Sequence, residues 1–518
     1  MSQSNFVKGT LILSVATLLS KILGSVFRIP LQNIAGDEVL GIFSLVFPVY
    51  MVALILSVAG IPIAISKLIA EAKAKNESHS IRDIYLTASI LAIIFGVLSF
   101  TLIYSFSVPI AAALGGQSTR LALIVVAGTL LVAPYMAVYR GFFQGFDDMQ
   151  PTAISQVLEQ FIRVAIILGV AYYLVVNNYS NEIVAGGVMA GSVIGALASL
   201  IYLRLKYNSS SLKVSSNVRY SLPIFTKWSK LVLRTSIPIA IGTITMALLN
   251  VVDSFTVSYG LKSLGNETSE INYLYGIYGR GLSLVQIATV FATSIVLPLI
   301  PLISKNLANN DTKGTRTIIE KTHYITHLIS WPSALGLLAL TLPLNLALFT
   351  NLEGSMVLAI IGFSAVFTSL TVLGTGVLQG MNLAKYAAYI IIAGVIIKIF
   401  TNILFIHLFG LTGAALSTLL VYVLLFSVNS LLINRHLSSK LFTVNTWKMI
   451  FASLVMGAIV GLPTLFFSII NWTRTEALLY VLAAIVAGSI IYLIQLFLFK
   501  AIDKQMIGNL PVINKFLK

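Results

Sequence analysis

The chain has no cysteine and little charge. Its 518 residues include no Cys and only 17 Asp and Glu. The lack of Cys excludes disulfides, zinc–thiolate centres and thiol catalysis. Charged residues make up 10% of the chain, against about 25% in an average soluble domain, and no Walker-type phosphate loop is present. We therefore expect no catalytic residues, no cofactor, no bound metal and no nucleic-acid partner.

Hydrophobic residues are abundant instead. They make up 58% of the chain, the mean hydropathy is +0.95, and apolar runs of the roughly 20 residues that cross a bilayer recur throughout. This composition predicts an all-α, multi-pass membrane protein without a large soluble domain. We place about fourteen helices, at roughly 6–33, 39–66, 82–109, 119–143, 152–176, 183–206, 229–258, 272–302, 316–342, 355–379, 385–408, 411–434, 448–470 and 476–499.

The 33 Lys and Arg predict the orientation. On this topology 25 of them lie on the side of the N-terminus and three on the other side. Because basic loops stay inside, both termini are predicted to be cytoplasmic. The formal charge of +16 then comes mostly from these 25 bases at the cytoplasmic ends of the helices, which we call the cytoplasmic collar.

The sequence contains an internal repeat. The triplet Gly141, Gln144 and Gly145 recurs with the same spacing in the second half, as Gly376, Gln379 and Gly380. The register that aligns these triplets also aligns Arg163 with Lys398. A weaker match pairs IAISK with PLISK at a slightly larger offset. The repeat indicates a duplicated bundle of helices.

The repeat predicts the domain organisation. The predicted lobes are 1–206 and 229–436, with helices one to six in the first and seven to twelve in the second, and the two copies run parallel. A cytoplasmic linker at 207–228 joins them, and 437–518 adds two helices and a tail.

Five bases remain inside the predicted membrane spans: Lys21, Arg28, Arg163, Arg280 and Lys398. Each costs about 2.5 to 3.5 kcal/mol at the bilayer centre, and the spans hold only two acids, Glu159 and Asp253. Lys21 and Arg28 are nearly two helical turns apart and share a face with Gly24. A substrate with negative charge would explain this excess of bases, in a cavity between two lobes that work by rocking.

A purely structural interpretation stays open for each base, by snorkelling or by pairing with an acid. It is favoured for Arg163, since Glu159 lies four residues before it, with Gln156 and Gln160 available for bonds between helices. Arg280 is predicted to reach into a cavity, because Gly276, Gly279 and Gly281 surround it.

Other polar residues carry weaker predictions. Lys398 has Asn402 one turn on. His323 and His327 also have helical spacing, and packing is favoured over metal binding for them.

Four stretches resemble the MOP exporter superfamily, in particular its MurJ-type lipid II flippases and stage V sporulation protein B group. They are SKILGSVFRIPLQNIAG at 20–36, GIPIAISKLIAEA at 60–72, RGFFQGFDDMQPTAISQVLEQFIRV at 140–164 and the run from YGR to LPLIPLISK at 278–305. The third is the most specific and is similar to the sporulation-protein branch. The similarity extends over essentially the whole chain.

The resemblance implies a flippase for polyprenyl-diphosphate-linked saccharides in the plasma membrane of a bacterium, with lipid II as the first candidate. Its cationic cavity would map to Lys21, Arg28 and Arg280, with Arg163, Lys398, Glu159 and Asp253 as secondary residues. The extra helix pair would form a groove for the lipid tail. The chain differs from the family in having Lys21 in place of an Arg, a gap to Arg28 that is one residue longer, and Gly279 in place of an acid.

Two other functions stay open. A multidrug antiporter of the same superfamily would expel cations and would need carboxylates in its cavity. A non-transporting scaffold for cell-wall synthesis enzymes would need neither buried bases nor a duplicated bundle. For the flippase we expect a monomer whose partners are its lipid-linked substrate, membrane lipids and cell-wall synthesis enzymes.

Overall fold

Helices form all the regular structure in the described residues. The computed structural model describes residues 3–58, 60–210, 212 and 220–502, and these ranges contain no strand. The predicted all-α membrane fold is confirmed. Most of the predicted linker's central part, and the tail from residue 503 onward, lie outside the described residues.

The chain divides into two compact units, Met1–Gly276 and Ile277–Lys518. The first contains α1 (Gln3–Val26), α2 (Arg28–Val58), α3 (Ile61–Ala74), α4 (Ser78–Ser105), α5 (Ser107–Ala113), α6 (Arg120–Ala127), α7 (Ala133–Gly145), α8 (Gln150–Val176), α9 (Asn181–Ser209), α10 (Leu222–Ser263) and the start of α11 (Thr268–Ala308). The second contains the rest of α11, then α12 (Thr312–Ala339), α13 (Thr341–Phe349), α14 (Ser355–Gly380), α15 (Ala384–Phe409), α16 (Leu411–Leu437), α17 (Val444–Phe466) and α18 (Arg474–Leu498). The predicted lobe limits at 1–206 and 229–436 stay a prediction.

The count of fourteen membrane spans is not confirmed. In the described residues, eleven helical segments are long and apolar enough to cross a membrane, or twelve if α12 and α13, which are bent by 78°, form one span. One of the eleven, Ile12–Ala74, has 63 residues, about three times the length that a bilayer requires. It contains a left-handed break at Gly36, where φ is 79°, and this break falls in the gap between the helices predicted at 6–33 and 39–66.

Glycine also interrupts the second predicted helix. Gly60 precedes α3 with a φ of 84°, a conformation that side chains rarely adopt, and Pro62 follows in the first turn. A Cβ at Gly60 would collide with the backbone of Ser236 in α10. The span predicted at 39–66 is therefore two helices that join at a tight contact with α10.

Close helix crossings in the first unit depend on small residues. Gly41 in α2 faces the backbone oxygen of Asn272 in α11, and Gly276 faces the backbone oxygen of Asp37. A Cβ at either glycine would overlap that oxygen. Such backbone contact is how membrane helices gain packing energy when lipid is as apolar as their side chains.

In the second unit, the predicted C-terminal helix pair packs on α12 and α13. The Tyr324 hydroxyl donates to the backbone oxygen of Ala501 at 2.8 Å, and the Tyr492 hydroxyl donates to that of Leu328 at 3.0 Å. Arg474 Nε donates to the Ala347 oxygen at 2.9 Å. These bonds attach α18 and the residues after it to the rest of the unit.

The two repeat segments end in the same turn. Asp147 follows α7 with a φ of 64°, and Asn382, its counterpart in the register of the repeat, follows α14 with a φ of 61°. The next amide in each turn reaches back to the helix, from Asp148 to the Phe143 oxygen and from Leu383 to the Leu378 oxygen. Both are Schellman-like helix ends, in which a left-handed residue lets the chain reverse.

The glycines of the repeat also pack alike. A Cβ at Gly145 would lie 2.7 Å from Ile69 Cβ, and one at Gly380 would lie 2.9 Å from Ile303 Cβ. The two isoleucines are separated along the chain by nearly the same interval as the two glycines. In this contact Ile69 corresponds to Ile303, whereas the weaker match of IAISK with PLISK aligns Ile65 with Ile303.

Candidate functional site

Lys21 and Arg28 lie on different helices. The sequence predicted one continuous helix with both side chains on one face, but the chain leaves the helix at Phe27, between α1 and α2. Pro30 explains the break, because it lacks the N–H that would bond to the oxygen of Val26. Lys21 is half-buried, whereas Arg28, at the start of α2, is 4% exposed.

Arg28 and a second arginine, Arg163, both contact the aromatic ring of Phe47. The Cζ of Arg28 lies 5.6 Å from the ring centroid of Phe43 and 5.6 Å from that of Phe47. The Cζ of Arg163, from α8, lies 5.2 Å from the Phe47 centroid. The two guanidinium groups are near enough to repel each other, so we call Arg28 and Arg163 the arginine pair.

The arginine pair retains unused donors. Arg28 Nε, Arg163 Nε and Arg163 Nη2 are buried, and none of these atoms has a hydrogen-bond partner in the described part of the chain. A buried donor without a partner costs about 1 to 3 kcal/mol, and more when it is charged. These atoms are therefore suited to an anion with several oxygens, such as a diphosphate.

The predicted pair of Arg163 with Glu159 is not formed. Glu159 instead accepts from Arg140 Nη2 at 2.7 Å, and Arg140 also donates to Ser155 Oγ at 3.0 Å and to Ser199 Oγ at 3.1 Å. Arg140 is largely buried, with 14% of its side chain exposed, although the sequence assigned it to the cytoplasmic collar. Its forked donors join α7 to α8 and α9, which the local spacing rule does not detect.

The contact between α1 and α8 includes two polar side-chain contacts, which involve Thr17, Gly24, Gln156 and Gln160. Thr17 Oγ1 contacts Gln156 Oε1 at 3.1 Å, as predicted for a bond between helices. A Cβ at Gly24 would lie 3.3 Å from Gln160 Oε1, and that buried oxygen accepts no hydrogen bond from any described residue. This part of the helix interface therefore contains a buried hydrogen-bond acceptor that no described residue satisfies.

Arg280 in the second unit is completely buried. Its exposed fraction is 0%, and Nη1 donates to Asn345 Oδ1 at 3.1 Å and to Asn351 Oδ1 at 2.8 Å. Its Cζ lies 5.2 Å from the ring centroid of Phe349. The partners in these two bonds are neutral amides. The sequence missed both asparagines, which lie beyond the helix predicted at 316–342.

The glycines near Arg280 serve helix packing. Gly276 faces the backbone of Asp37, and a Cβ at Gly281 would lie 3.0 Å from Ile361 Cδ1. Gly276 and Gly281 therefore face neighbouring helices rather than the cavity that the sequence predicted around Arg280.

The secondary residues Lys398 and Asp253 are both 1% exposed. Lys398 Nζ lies 5.8 Å from the ring centroid of Tyr422. Asp253 is within electrostatic range of Tyr275, which also interacts with Arg28. The first unit thus brings Arg28, Arg163 and Asp253 into one region, whereas Arg280 and Lys398 have separate surroundings in the second unit.

The described residues give no support for a metal centre. They contain no group of three or more His, Asp and Glu that could hold an ion. His327 Nδ1 accepts from Trp331 Nε1 at 3.1 Å, and His323 Nδ1 lies 2.9 Å from the Ile319 oxygen. These contacts fit the packing role that the sequence favoured for the two histidines.

Comparison with known proteins identifies the family. Residues 6–307 match the family described as polysaccharide biosynthesis protein. An uncharacterized membrane protein, YabM of Bacillus subtilis, is 34% identical over 417 residues, covering 79% of this chain and 76% of its own length. The lipid II flippase MurJ of the same organism is 27% identical over 94% of both chains. Stage V sporulation protein B is 26% identical over 100% of both, so the two predicted branches match about equally.

Solved structures confirm the fold. The lipid II flippase MurJ in an inward closed conformation superposes with a TM-score of 0.69 and 17% identity, over 94% of this chain and 98% of its own. The relatives with a stated activity are flippases or other transporters, which confirms that the chain is not an enzyme. The chain belongs to the polysaccharide biosynthesis protein family and is a multi-pass membrane protein.

Proposed function

We propose that the protein is a flippase that moves a polyprenyl-diphosphate-linked saccharide from the cytoplasmic to the outer leaflet by alternating access. Lipid II is the first candidate substrate, because the MurJ relative carries that name. The observation that carries the proposal is the arginine pair on Phe47, whose buried donors have no carboxylate partner among the described residues. A diphosphate supplies the charge and the oxygen atoms that these donors lack.

Three further residues contribute to the proposal. Lys21 is half-buried on α1 and Arg280 is buried on α11, and both are bases of the kind that the resemblance implies for a cationic cavity. Lys398 is a buried base in the second unit. Cytoplasmic termini, action as a monomer and contact with cell-wall synthesis enzymes stay predictions that accompany this function.

The proposal is tested with the full chain in proteoliposomes. We expect lipid II carrying a fluorophore on its saccharide to move from one leaflet to the other, measured by the fraction that a membrane-impermeant quencher reaches. Arg28→Gln should slow this movement about tenfold or more, because one charge-assisted hydrogen bond is worth about 1.5 to 3 kcal/mol.

Arg435→Gln is the matched control, because Arg435 is an exposed base in the last turn of α16. It should leave the rate unchanged. Wild-type rates in a folded Arg28→Gln variant would contradict the proposal. A strain depleted of its lipid II flippase, complemented with the same variants, gives the corresponding test in cells.

One observation favours the drug antiporter as second candidate. Asp253 is a buried acid near Tyr275, and antiporters that expel cations need such a carboxylate. The other acid, Glu159, is already held by Arg140. Efflux of a lipophilic cation that is lost in Asp253→Asn but retained in Arg28→Gln would favour the antiporter over the flippase.

A further inference from the structure

A groove without polar side chains runs between α1 and α8 on the surface of the first unit. Its volume is about 560 Å³, and its lining residues, which lie within 12–19 and 153–161, are all apolar. Several are strongly exposed, including Val15 at 50% and Phe161 at 64%. Its size falls within the range of about 300 to 1,000 Å³ that is typical of ligand sites.

The groove ends at polar groups that suit an anion. Leu19 is its last lining residue on α1 and Phe161 its last on α8, and Arg163 follows two residues after Phe161. On that helix, the donors Arg163 Nε and Arg163 Nη2 are buried and have no hydrogen-bond partner in the described ranges. Apolar surface and unused polar atoms thus follow one another along α8.

The two ends of the groove differ in charge. Near Ile154, which also lines the groove, a smaller pocket of about 200 Å³ contains both an acid, Asp148, and a base, Lys206. At the other end the arginine pair has like charges and no carboxylate bound to it within the described residues. An anionic group is therefore attracted to the Arg163 end.

We propose that the α1–α8 groove holds the apolar chain of the same lipid whose diphosphate binds the arginine pair. This inference rests on the proposed function and adds to it the location of the lipid's apolar chain. Arg163 lies thirteen residues after the start of α8, roughly 20 Å along the helix. With cytoplasmic termini, the groove runs from that depth along α8 toward the cytoplasmic face, so a lipid chain that lies in it occupies the inner half of the bilayer.

The groove differs from the site that the family resemblance implies for the tail. That site would lie on the extra C-terminal helices, α17 and α18, in the second unit. The α1–α8 groove lies in the first unit, on the two helices that carry Lys21 and Arg163.

Photocrosslinking tests the inference on the full chain in nanodiscs. The probe is a polyprenyl diphosphate with a diazirine on its chain, and adducts are mapped by mass spectrometry of peptides that include 12–19 and 153–161. We expect adducts in both peptides and about tenfold fewer in Arg163→Gln, because that variant loses a charge-assisted hydrogen bond to the diphosphate. A phosphatidylcholine with the same diazirine should show no dependence on Arg163.

Filling the groove provides the matched control. Val15→Trp places an indole in the groove, whereas Val97→Trp changes a valine of equal exposure, 50%, on α4. We expect Val15→Trp to remove most groove adducts and Val97→Trp to leave them unchanged. Both proteins should show wild-type elution from a sizing column.

The outcomes separate the two proposals. Groove adducts that do not depend on Arg163 would show ordinary bilayer lipid and overturn the inference. Adducts that depend on Arg163 but map elsewhere, for example to α17 and α18, would overturn the groove while supporting the diphosphate site. No adduct that depends on Arg163 in any peptide would contradict the proposed function itself.

Discussion

The two halves of the repeat share a turn but differ in charge. The turns after α7 and α14 have the same left-handed residue and the same backbone bond. The positions around them do not match, since in the register of the repeat Arg140 corresponds to Thr375 and Glu159 to Gly394. The backbone geometry of the turn is shared by both halves, whereas the Arg140–Glu159 ion pair occurs only in the first half.

The second half replaces the ion pair with neutral bonds. Asn429 Nδ2 donates to Thr375 Oγ1 at 3.2 Å and to the Thr371 oxygen at 3.4 Å. In the first half the same place in the turn region holds the Arg140–Glu159 pair. The comparison teaches that duplicated helices can keep one backbone geometry with either an ion pair or neutral hydrogen bonds at the same place.

Breaking the ion pair should have the largest effect. Arg140→Leu leaves Glu159 largely buried without its partner and should destabilise the protein by about 3 kcal/mol, the low end for such pairs because both side chains keep some exposure. Thermal unfolding in detergent measures this loss. Arg140→Leu/Glu159→Leu should recover most of it, since no charge is then left alone. A double variant as unstable as the single one would contradict the assignment.

Neutralising Arg163 and Lys398, which correspond in the register of the repeat, should separate the halves by function. Arg163→Gln should weaken binding of a polyprenyl diphosphate about tenfold, whereas Lys398→Gln should change it less than about threefold. Microscale binding measurements in detergent give both values. Because Arg163→Gln also removes repulsion from Arg28, we expect its unfolding temperature not to fall. Equal losses of binding in the two variants would contradict a site confined to the first half.

The aromatic partners should show a smaller difference. Phe47 lies beneath two cations and Tyr422 beneath one, and each such contact is worth about 0.5 to 1 kcal/mol or more when desolvated. Phe47→Leu should therefore destabilise the protein about twice as much as Tyr422→Leu. The two unfolding free energies, measured under one set of conditions, test this ratio, and a larger loss for Tyr422→Leu would contradict it.

The smallest expected effect is that of Thr375→Val. It removes one neutral hydrogen bond from Asn429, which still donates to the Thr371 oxygen, so the loss should be about 1 kcal/mol. A loss as large as that of Arg140→Leu would contradict the comparison, because the neutral bonds would then stabilise the protein as much as the ion pair does.

Hydropathy predicted the helices well because a bilayer demands about 20 apolar residues for each crossing. It did not predict the break at Phe27, where one proline interrupts a run that is apolar on both sides. The repeat was visible because turns of this kind constrain Gly and Asn or Asp positions. These are local properties that the sequence carries directly.

The partners of the buried charges could not be predicted in the same way. Glu159 had a base one helical turn away, yet it binds Arg140 on the preceding helix, α7. Arg280 takes its partners from Asn345 and Asn351, which follow it only after α12. Such contacts depend on how helices cross, which spacing along one helix does not report.

The shared ring of Phe47 has one further consequence. Two like charges held close together with little solvent around them destabilise the protein when no substrate is bound. A bound anion reduces the repulsion between them. Cargo should consequently act as a stabiliser, so that pyrophosphate alone raises the melting temperature in low salt and loses this effect when Arg28 is neutralised.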